Sequence, residues 1–512
     1  MTVLHDERAV APKATRREWI GLAVLALPCL LYSMDLNVLN LAIPQLTQHL
    51  RPSASQLLWI VDIYGFLLAG FLITMGTLGD RIGRRRLLMV GAGAFGVASV
   101  MAAFSSSAKM LIFSRAVLGI AAATLAPSTL SLIRNMFLDE HERGTAIGIW
   151  VSCFAAGGIV GPLLGGFLLE HFSWGSVFLI AVPVMVALLV IAPFLLPEFR
   201  DPNAGALDVP SSVLATTAVI SMIYGMKRVA EHGPDAIAGL AVVLSLAIGT
   251  VFVRRQKRLA DPMIDLQLFQ SPLFGVALAV NIVSVFAAFG FFLFITQYLQ
   301  LVLGLSPLES GLWLMPSGVV FILGSILAPV LGRKFEPRVV LTGGFLITAV
   351  GYGLLTQITA SSEIWLVLTG FVLFCAGLAP MGTLTTNLVM SAVVPEKAGA
   401  ASGVSETSFE FGAALGVAVL GSIVTAVYRS HMASVGLSDI PPEAVAAARD
   451  TLGAAVATAS TLHDEAGIKL LSAARDAFAR SMQATALVSC SLALAAAVAC
   501  TKLMRRPVAA GA

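Results

Sequence analysis

Five ionisable residues stand inside long apolar runs of this chain: Asp35, Asp62, Arg115, Glu406 and Glu410. Placing such a group in a membrane costs at least ~2.5 to 3.5 kcal/mol, so each is a functional candidate by default. At 1.5 Å per residue, Asp35 lies about 12 Å from the outer end of its run, and Asp62 and Arg115 about 8 Å from the outer starts of theirs. The three share one half of the membrane. Two carboxylates in a partly dehydrated cleft can take up and release protons, and a guanidinium that approaches one of them biases that exchange. That is the chemistry of a proton relay. The bland alternative is a fixed ion pair between Arg115 and one aspartate. Glu406 and Glu410, four residues apart, share a helix face and would line a cavity attractive to cations. Glu410 could equally be a structural companion of Glu406. Trp150, Tyr64 and a cluster around Phe289 (Phe286, Phe291, Phe292, Phe294, Tyr298) could offer ring faces to an organic cation. Most of the phenylalanines are equally well explained as packing or lipid-facing residues.

The elements that position these residues follow from composition. Hydrophobic residues make up 57% of the 512, charged residues 12%, and the mean hydropathy is +0.89. Soluble chains carry about 25% charge. A soluble enzyme, a disordered scaffold and a nucleic-acid binder are excluded, since a net charge of +3 on this much apolar surface is no phosphate-binding footprint. No nucleophile–base pair or metal-ligand motif is present, so no catalytic residue, metal or cofactor is expected. The five cysteines are widely spaced and read as small buried hydrophobes.

A spanning helix needs about 20 apolar residues. Fourteen runs qualify, near residues 20–43, 57–78, 87–105, 110–133, 144–168, 176–197, 209–226, 236–253, 272–302, 310–331, 339–358, 364–393, 401–426 and 481–501. Counting Lys and Arg in alternate loops puts 22 on the side of the N-terminus and nine opposite, with Arg115 inside a run. The positive-inside rule then makes both termini cytoplasmic. The expectation is an all-α polytopic protein of the cell inner (cytoplasmic) membrane. Residues 428–480 form an external loop whose apolar spacing around Leu470, Ala474 and Phe478 suggests a helical hairpin packed on the outer face, with a solvated linker as the alternative.

The two halves are weakly alike. Trp59-Ile60-Val61-Asp62 followed by Gly79-Asp80-Arg81-Ile82-Gly83-Arg84 is echoed by Trp313-Leu314-Met315-Pro316 followed by Gly332-Arg333-Lys334. Such symmetry fits a transporter of two six-helix bundles with two inserted helices. The boundaries are 1–19 for an N-terminal tail, 20–200 for the first bundle, 201–260 for the inserted pair, 261–506 for the second bundle and 507–512 for a C-terminal tail.

The turn Gly76-Thr77-Leu78-Gly79-Asp80-Arg81-Ile82-Gly83-Arg84-Arg85-Arg86 resembles the major facilitator superfamily motif between helices two and three. Leu111, Arg115 and Gly119 resemble the fourth-helix motif of its proton-coupled members. Gly157, Gly161-Pro162 and Gly165-Gly166 resemble the fifth-helix motif of its exporters. Met34-Asp35 before Asn40 and Pro44, Leu58-Trp59-Ile60-Val61-Asp62-Ile63-Tyr64 and Ser405-Glu406-Thr407 are similar to the fourteen-helix drug:proton antiporters of the QacA, SmvA and LfrA type, which export quaternary ammonium antiseptics and dyes. The resemblance implies a major facilitator fold, a monomer, and export of lipophilic cations driven by a proton gradient, with no cofactor. It implies proton coupling at Asp35, Asp62 and Arg115. Substrate binding would fall to Glu406, Glu410, the two aspartates, Trp150, Tyr64 and Phe289. Gating would fall to Asp80, Arg81, Gly83, Arg84, Gly157, Gly161, Pro162 and Gly165. Small residues permit close helix approach and Pro162 a bend, which suits an interface between rocking bundles. Two departures stand out. Gly175 and Ala181 replace the Arg and Asn of many relatives, and the tenth helix lacks the acidic residue that some carry, so monovalent cations such as ethidium should be better substrates than a bis-amidine. The alternative function is export of one endogenous metabolite or antibiotic by the same machinery.

Overall fold

The computed structural model describes residues 12–503 apart from residues 53, 203–207, 234, 260–261, 265, 271, 436–439 and 463. Among the described residues there is helix and connecting turn but no strand. The order is α1 (Arg16–Leu50), α2 (Ala54–Ile82), α3 (Arg84–Ala103), α4 (Ala108–Met136), α5 (Glu140–His171), α6 (Ser176–Leu179), α7 (Ala181–Leu195), α8 (Val209–His232), α9 (Ala236–Gln256), α10 (Pro272–Gln297), α11 (Pro307–Lys334), α12 (Pro337–Leu355), α13 (Ile364–Ser391), α14 (Ala398–Ser434), α15 (Pro442–Asp450), α16 (Leu452–Ala459) and α17 (Asp464–Leu503). Fourteen helical stretches are long and apolar enough to cross a membrane, with α6 and α7 sharing one of them. The chain is a multi-pass membrane protein.

Local chemistry sets the breaks between spans. Ser107 caps α4 by accepting from the Met110 N–H, Asp139 caps α5 by accepting from His141 and Glu142, and Ser306 with Glu309 forms a reciprocal capping box at α11. Those backbone bonds hold the Asp139 carboxyl below its ordinary range. Gly83, at φ 107°, separates α2 from α3 in a conformation that a side chain resists.

The buried apolar residues fall into two large cores. One gathers α1 to α7 around Leu25, Leu111, Leu130 and Phe95. The other gathers α10 to α14 and α17 around Phe291, Tyr352, Phe371 and Met482. The inserted helices lie outside both. α8 packs Ile223 and Met226 against Phe66 and Ala69 of α2 and against Ala418 of α14, so it touches both bundles. α9 leans on α8, where Ser245 donates to the Ala218 carbonyl, and turns Leu240, Val243 and Leu246 outward. That exposed apolar face is what lipid requires.

Residues 428–480 differ from a simple hairpin. α14 continues to Ser434 and α17 begins at Asp464, so both flanking spans extend beyond the apolar runs, with the short α15 and α16 between them. Val445, Ala448, Leu452, Ala455, Leu470 and Phe478 join the second core, and the Tyr428 hydroxyl donates to the Ala448 carbonyl. Alanine-rich sequence with a single apolar stripe prolongs a helix at little cost.

Candidate functional site

Arg115 on α4 is 1% exposed and binds Asp35 of α1, Nη1 to Oδ2 at 2.6 Å. Its Nε donates to the Ile60 carbonyl of α2, and its guanidinium lies 4.4 Å from the centroid of the Tyr64 ring. Ile60 and Tyr64 are one turn apart and face α4. Asp62 is two positions from each, about 200° round the helix, and points elsewhere. It pairs with Lys227 of α8, whose ammonium also sits 4.9 Å from the centroid of the Phe66 ring. In this structure the Arg115 guanidinium thus stands against one of the two aspartates, as in the fixed-pair alternative. Arg115 holds Asp35 alone, and a second intramembrane cation holds Asp62. A small cavity lined by Asp35, Phe95, Ser99, Val177 and Phe178 adjoins the first pair.

Across from these pairs, Glu406 and Glu410 are half-buried on α14. Glu410 accepts a hydrogen bond from the Tyr32 hydroxyl of α1, which ties the two bundles together at this depth. Glu406 has no hydrogen-bond or ion-pair partner among the described residues. Asn281 of α10 donates to the Ser408 hydroxyl, two residues from each of these carboxylates. An aromatic chain leads off the carboxylates. Tyr32 meets Phe154 edge to face at 5.6 Å between centroids, and Phe154 meets Trp150 at 4.9 Å. Trp150 itself is 3% exposed and donates its indole N–H to Thr129. Its rings are thus packed within the first bundle, and Phe154 is the ring that stands between it and Tyr32. Tyr64 is fully buried over Arg115. Phe289 is partly exposed and packs edge to face on Phe409, the neighbour of Glu410. Phe291, Phe294 and Tyr298 belong to the second core.

At the end of the molecule that carries most of the basic residues, the bundles are bolted together. Asp80 Oδ1 accepts from Arg84 Nε at 2.9 Å and Nη2 at 2.6 Å, and from the Gly399 N–H at 3.0 Å, while Oδ2 accepts from the Ala400 N–H at 2.8 Å. Asp80 thus caps the first turn of α14, where unpaired N–H groups and the helix dipole favour an anion. Arg84 also donates to the Pro395 and Glu396 carbonyls at 2.7 and 2.9 Å. Arg134 donates to the Met390 and Val393 carbonyls and Arg143 to Ser391. Every one of these bonds beyond Asp80–Arg84 crosses from the first bundle to the second. Arg81 borders the same region with Asp201, Glu396 and Lys397.

The small residues of α5 sit differently from expectation. A Cβ on Gly157 would come within 2.7 Å of the Ser33 Cβ, one on Gly161 within 3.2 Å of the Met34 Cα, and one on Gly165 within 2.8 Å of Val38. All three neighbours are on α1, so these glycines let two helices of the same bundle close up. The tight crossing between bundles on α5 comes earlier, where a Cβ on Gly148 would collide with the Ser325 backbone of α11 at 2.5 Å. The side chain of Pro162 lies outside the described residues.

Sequence reasoning missed Lys227, Tyr32 and Glu198. Glu198 accepts the N–H groups of Arg85 and Arg86, capping α3 where Gly83 has no side chain to do so. For Lys227 a signal existed: the run 209–226 is short for a span, and α8 continues through Lys227 to His232.

Two six-helix membrane-spanning cores, joined face to face around paired and unpaired charges at mid-depth, define a transporter rather than an enzyme. The family model of the Major Facilitator Superfamily matches residues 25–417, and the chain belongs to that superfamily. It is 43% identical to the multidrug efflux pump LfrA of Mycolicibacterium smegmatis, over 97% of this chain and 98% of that one. It is 35% identical to the methyl viologen resistance protein SmvA of Salmonella typhimurium, over 90% and 93% of the two chains. The tetracenomycin C resistance and export protein of Streptomyces glaucescens is 31% identical, over 97% and 94%. Among solved structures, the human organic anion transporter MFSD10 shares the fold with a TM-score of 0.58 at 15% identity, covering 93% of this chain and 99% of that one.

Proposed function

We propose that the protein is a multidrug efflux pump that exchanges lipophilic cations for protons. The observation that carries this reading is Glu406: a half-buried carboxylate without a partner among the described residues, at the face where the bundles meet, one turn from Glu410 and near the rings of Tyr32 and Phe154. An unpartnered carboxyl group beside aromatic faces is complementary to an organic cation. The names of the relatives support drug export, and that of the methyl viologen resistance protein names an organic cation.

In this scheme the basic end is cytoplasmic, both termini lie on that side, the membrane is the cell's inner membrane, and the protein acts as a monomer. The structure then represents the state closed towards the cytoplasm. A cation enters when the Asp80 latch releases, binds at Glu406 and Glu410, and leaves outward after the bundles rock. Protons from outside reach Asp35 and Asp62. Neutralising Asp35 removes the partner that holds Arg115 and so couples protonation to the packing of α1, α2 and α4.

The test is ethidium movement in everted membrane vesicles, with an inside-acid proton gradient and with that gradient collapsed by an uncoupler. Gradient-dependent uptake is expected. Its absence, in vesicles that hold both protein and gradient, would refute the reading and favour the second one: a dedicated exporter of a single metabolite or antibiotic, which the similarity to the tetracenomycin C exporter keeps in view.

A further inference from the structure

One intramembrane charge has no part in the scheme above. Lys227 lies on an inserted helix, outside both bundles, yet its ammonium is bound to Asp62 and packed on the Phe66 ring. A carboxylate with an aromatic face beside it is the pair of partners that an organic cation would use. The lysine therefore fills, from within the chain, a seat built for a cation. That seat is close to the carboxylates of α14: α8 packs on Phe66 of α2 and on Ala418 of α14 together. The lysine side chain is 35% exposed and Asp62 16%, and its four-carbon stem can swing aside without disturbing α8.

We propose that Lys227 is a tethered counter-cation at Asp62 that the second positive charge of a dication must displace, so that the inserted helix α8 sets how many positive charges the site accepts. The inference rests on the cation-export reading. With Arg115 locked to Asp35 and Lys227 to Asp62, the carboxylates left to a substrate are Glu406 and Glu410. Removing the ammonium frees a third, set apart from those two on α2, where a second positive charge of an elongated dication can reach it. A charge about 8 Å from Asp62 at the protein surface would gain about fourfold in affinity after screening.

The experiment compares binding of tetraphenylphosphonium, a monocation, and dequalinium, a lipophilic dication, to the purified full-length protein in lipid nanodiscs. Lys227→Gln is expected to raise dequalinium affinity about fourfold relative to tetraphenylphosphonium, and Lys227→Arg is expected to match the unaltered protein. In an Asp62→Asn background, Lys227→Gln should no longer change the ratio. A simple staple between α8 and α2 would instead give Lys227→Gln a lower melting temperature and an unchanged ratio, which overturns the proposal. Should Lys227→Gln fail to fold, acylation of Lys227 in the unaltered protein decides the matter by mass spectrometry. Saturating dequalinium should increase its reactivity by displacing it, and equal or lower reactivity overturns the proposal. If the unaltered protein binds neither cation, the export reading falls and this inference with it. If it binds both but the ratio ignores Lys227, only the inference falls.

Discussion

Asp80→Asn should loosen the closed state in a way whose size can be worked from the bonds that cross between bundles. The Asp80–Arg84 pair lies within one bundle and survives opening. The bonds from the Gly399 and Ala400 N–H groups exist only when the bundles meet at the basic end. Both are hydrogen bonds to a charged acceptor at a helix N-terminus, each contributing ~1.5 kcal/mol or more. An asparagine keeps the shape but loses the charge, and its amide group can offer only one acceptor oxygen. Losing ~3 kcal/mol of state-specific stabilisation shifts the ratio of closed to open by about 150-fold. Spin labels at Arg86, on the first bundle, and Phe335, on the second, are both at exposed positions of the basic end. Double electron–electron resonance between them should show a short-distance population in the unaltered protein that gives way to a longer one in Asp80→Asn. A closed-to-open ratio that changes less than about threefold in a folded variant would refute the energetic role given to those two bonds.

Asp35→Asn should abolish uphill, gradient-driven export in vesicles while downhill leakage continues; retained uphill export would contradict the assignment of Asp35 to proton coupling. Glu406→Gln should weaken binding of tetraphenylphosphonium by at least about tenfold and leave any neutral substrate largely unaffected, and equal losses for both kinds would sink that division of labour. Gly157→Val should force α1 and α5 apart, since its Cβ already meets Ser33; overpacking of this kind costs ~1–3 kcal/mol and should lower the melting temperature in detergent, with a normal melt counting against the packing role.

How far the sequence carries can be judged from particular residues. The spans were legible because hydropathy and backbone satisfaction in lipid leave a chain few choices, and the family followed from local motifs. The latch was legible as to residues: Asp80 and Arg84 stand in the basic turn. Its partners were not, because Gly399 and Ala400 contribute only backbone N–H groups, which no side-chain type announces. Asp62 and Asp35 looked like a pair by depth, but depth carries no azimuth. The turn of α2 that sends Asp62 towards α8 depends on which neighbours Ile60 and Tyr64 find. Lys227 was hidden by a boundary drawn at the last apolar residue, although lysine stems allow a helix to continue past that point. Trp150 was singled out only as a ring face, and its indole partner, Thr129 on α4, could come only from packing.

The extension of α17 has a mechanical consequence. Residues 464–480, at 1.5 Å per residue, make a stalk about 25 Å long, stiffened by α15, α16 and the end of α14, and all of it is fixed to the second bundle. It is a lever arm. A rigid-body rotation of about 15°, of the size known from other proteins, would carry its tip about 6 Å while the helices beneath move far less. A fluorophore on this crown, read against one on the first bundle, would therefore register such a rotation as a magnified displacement.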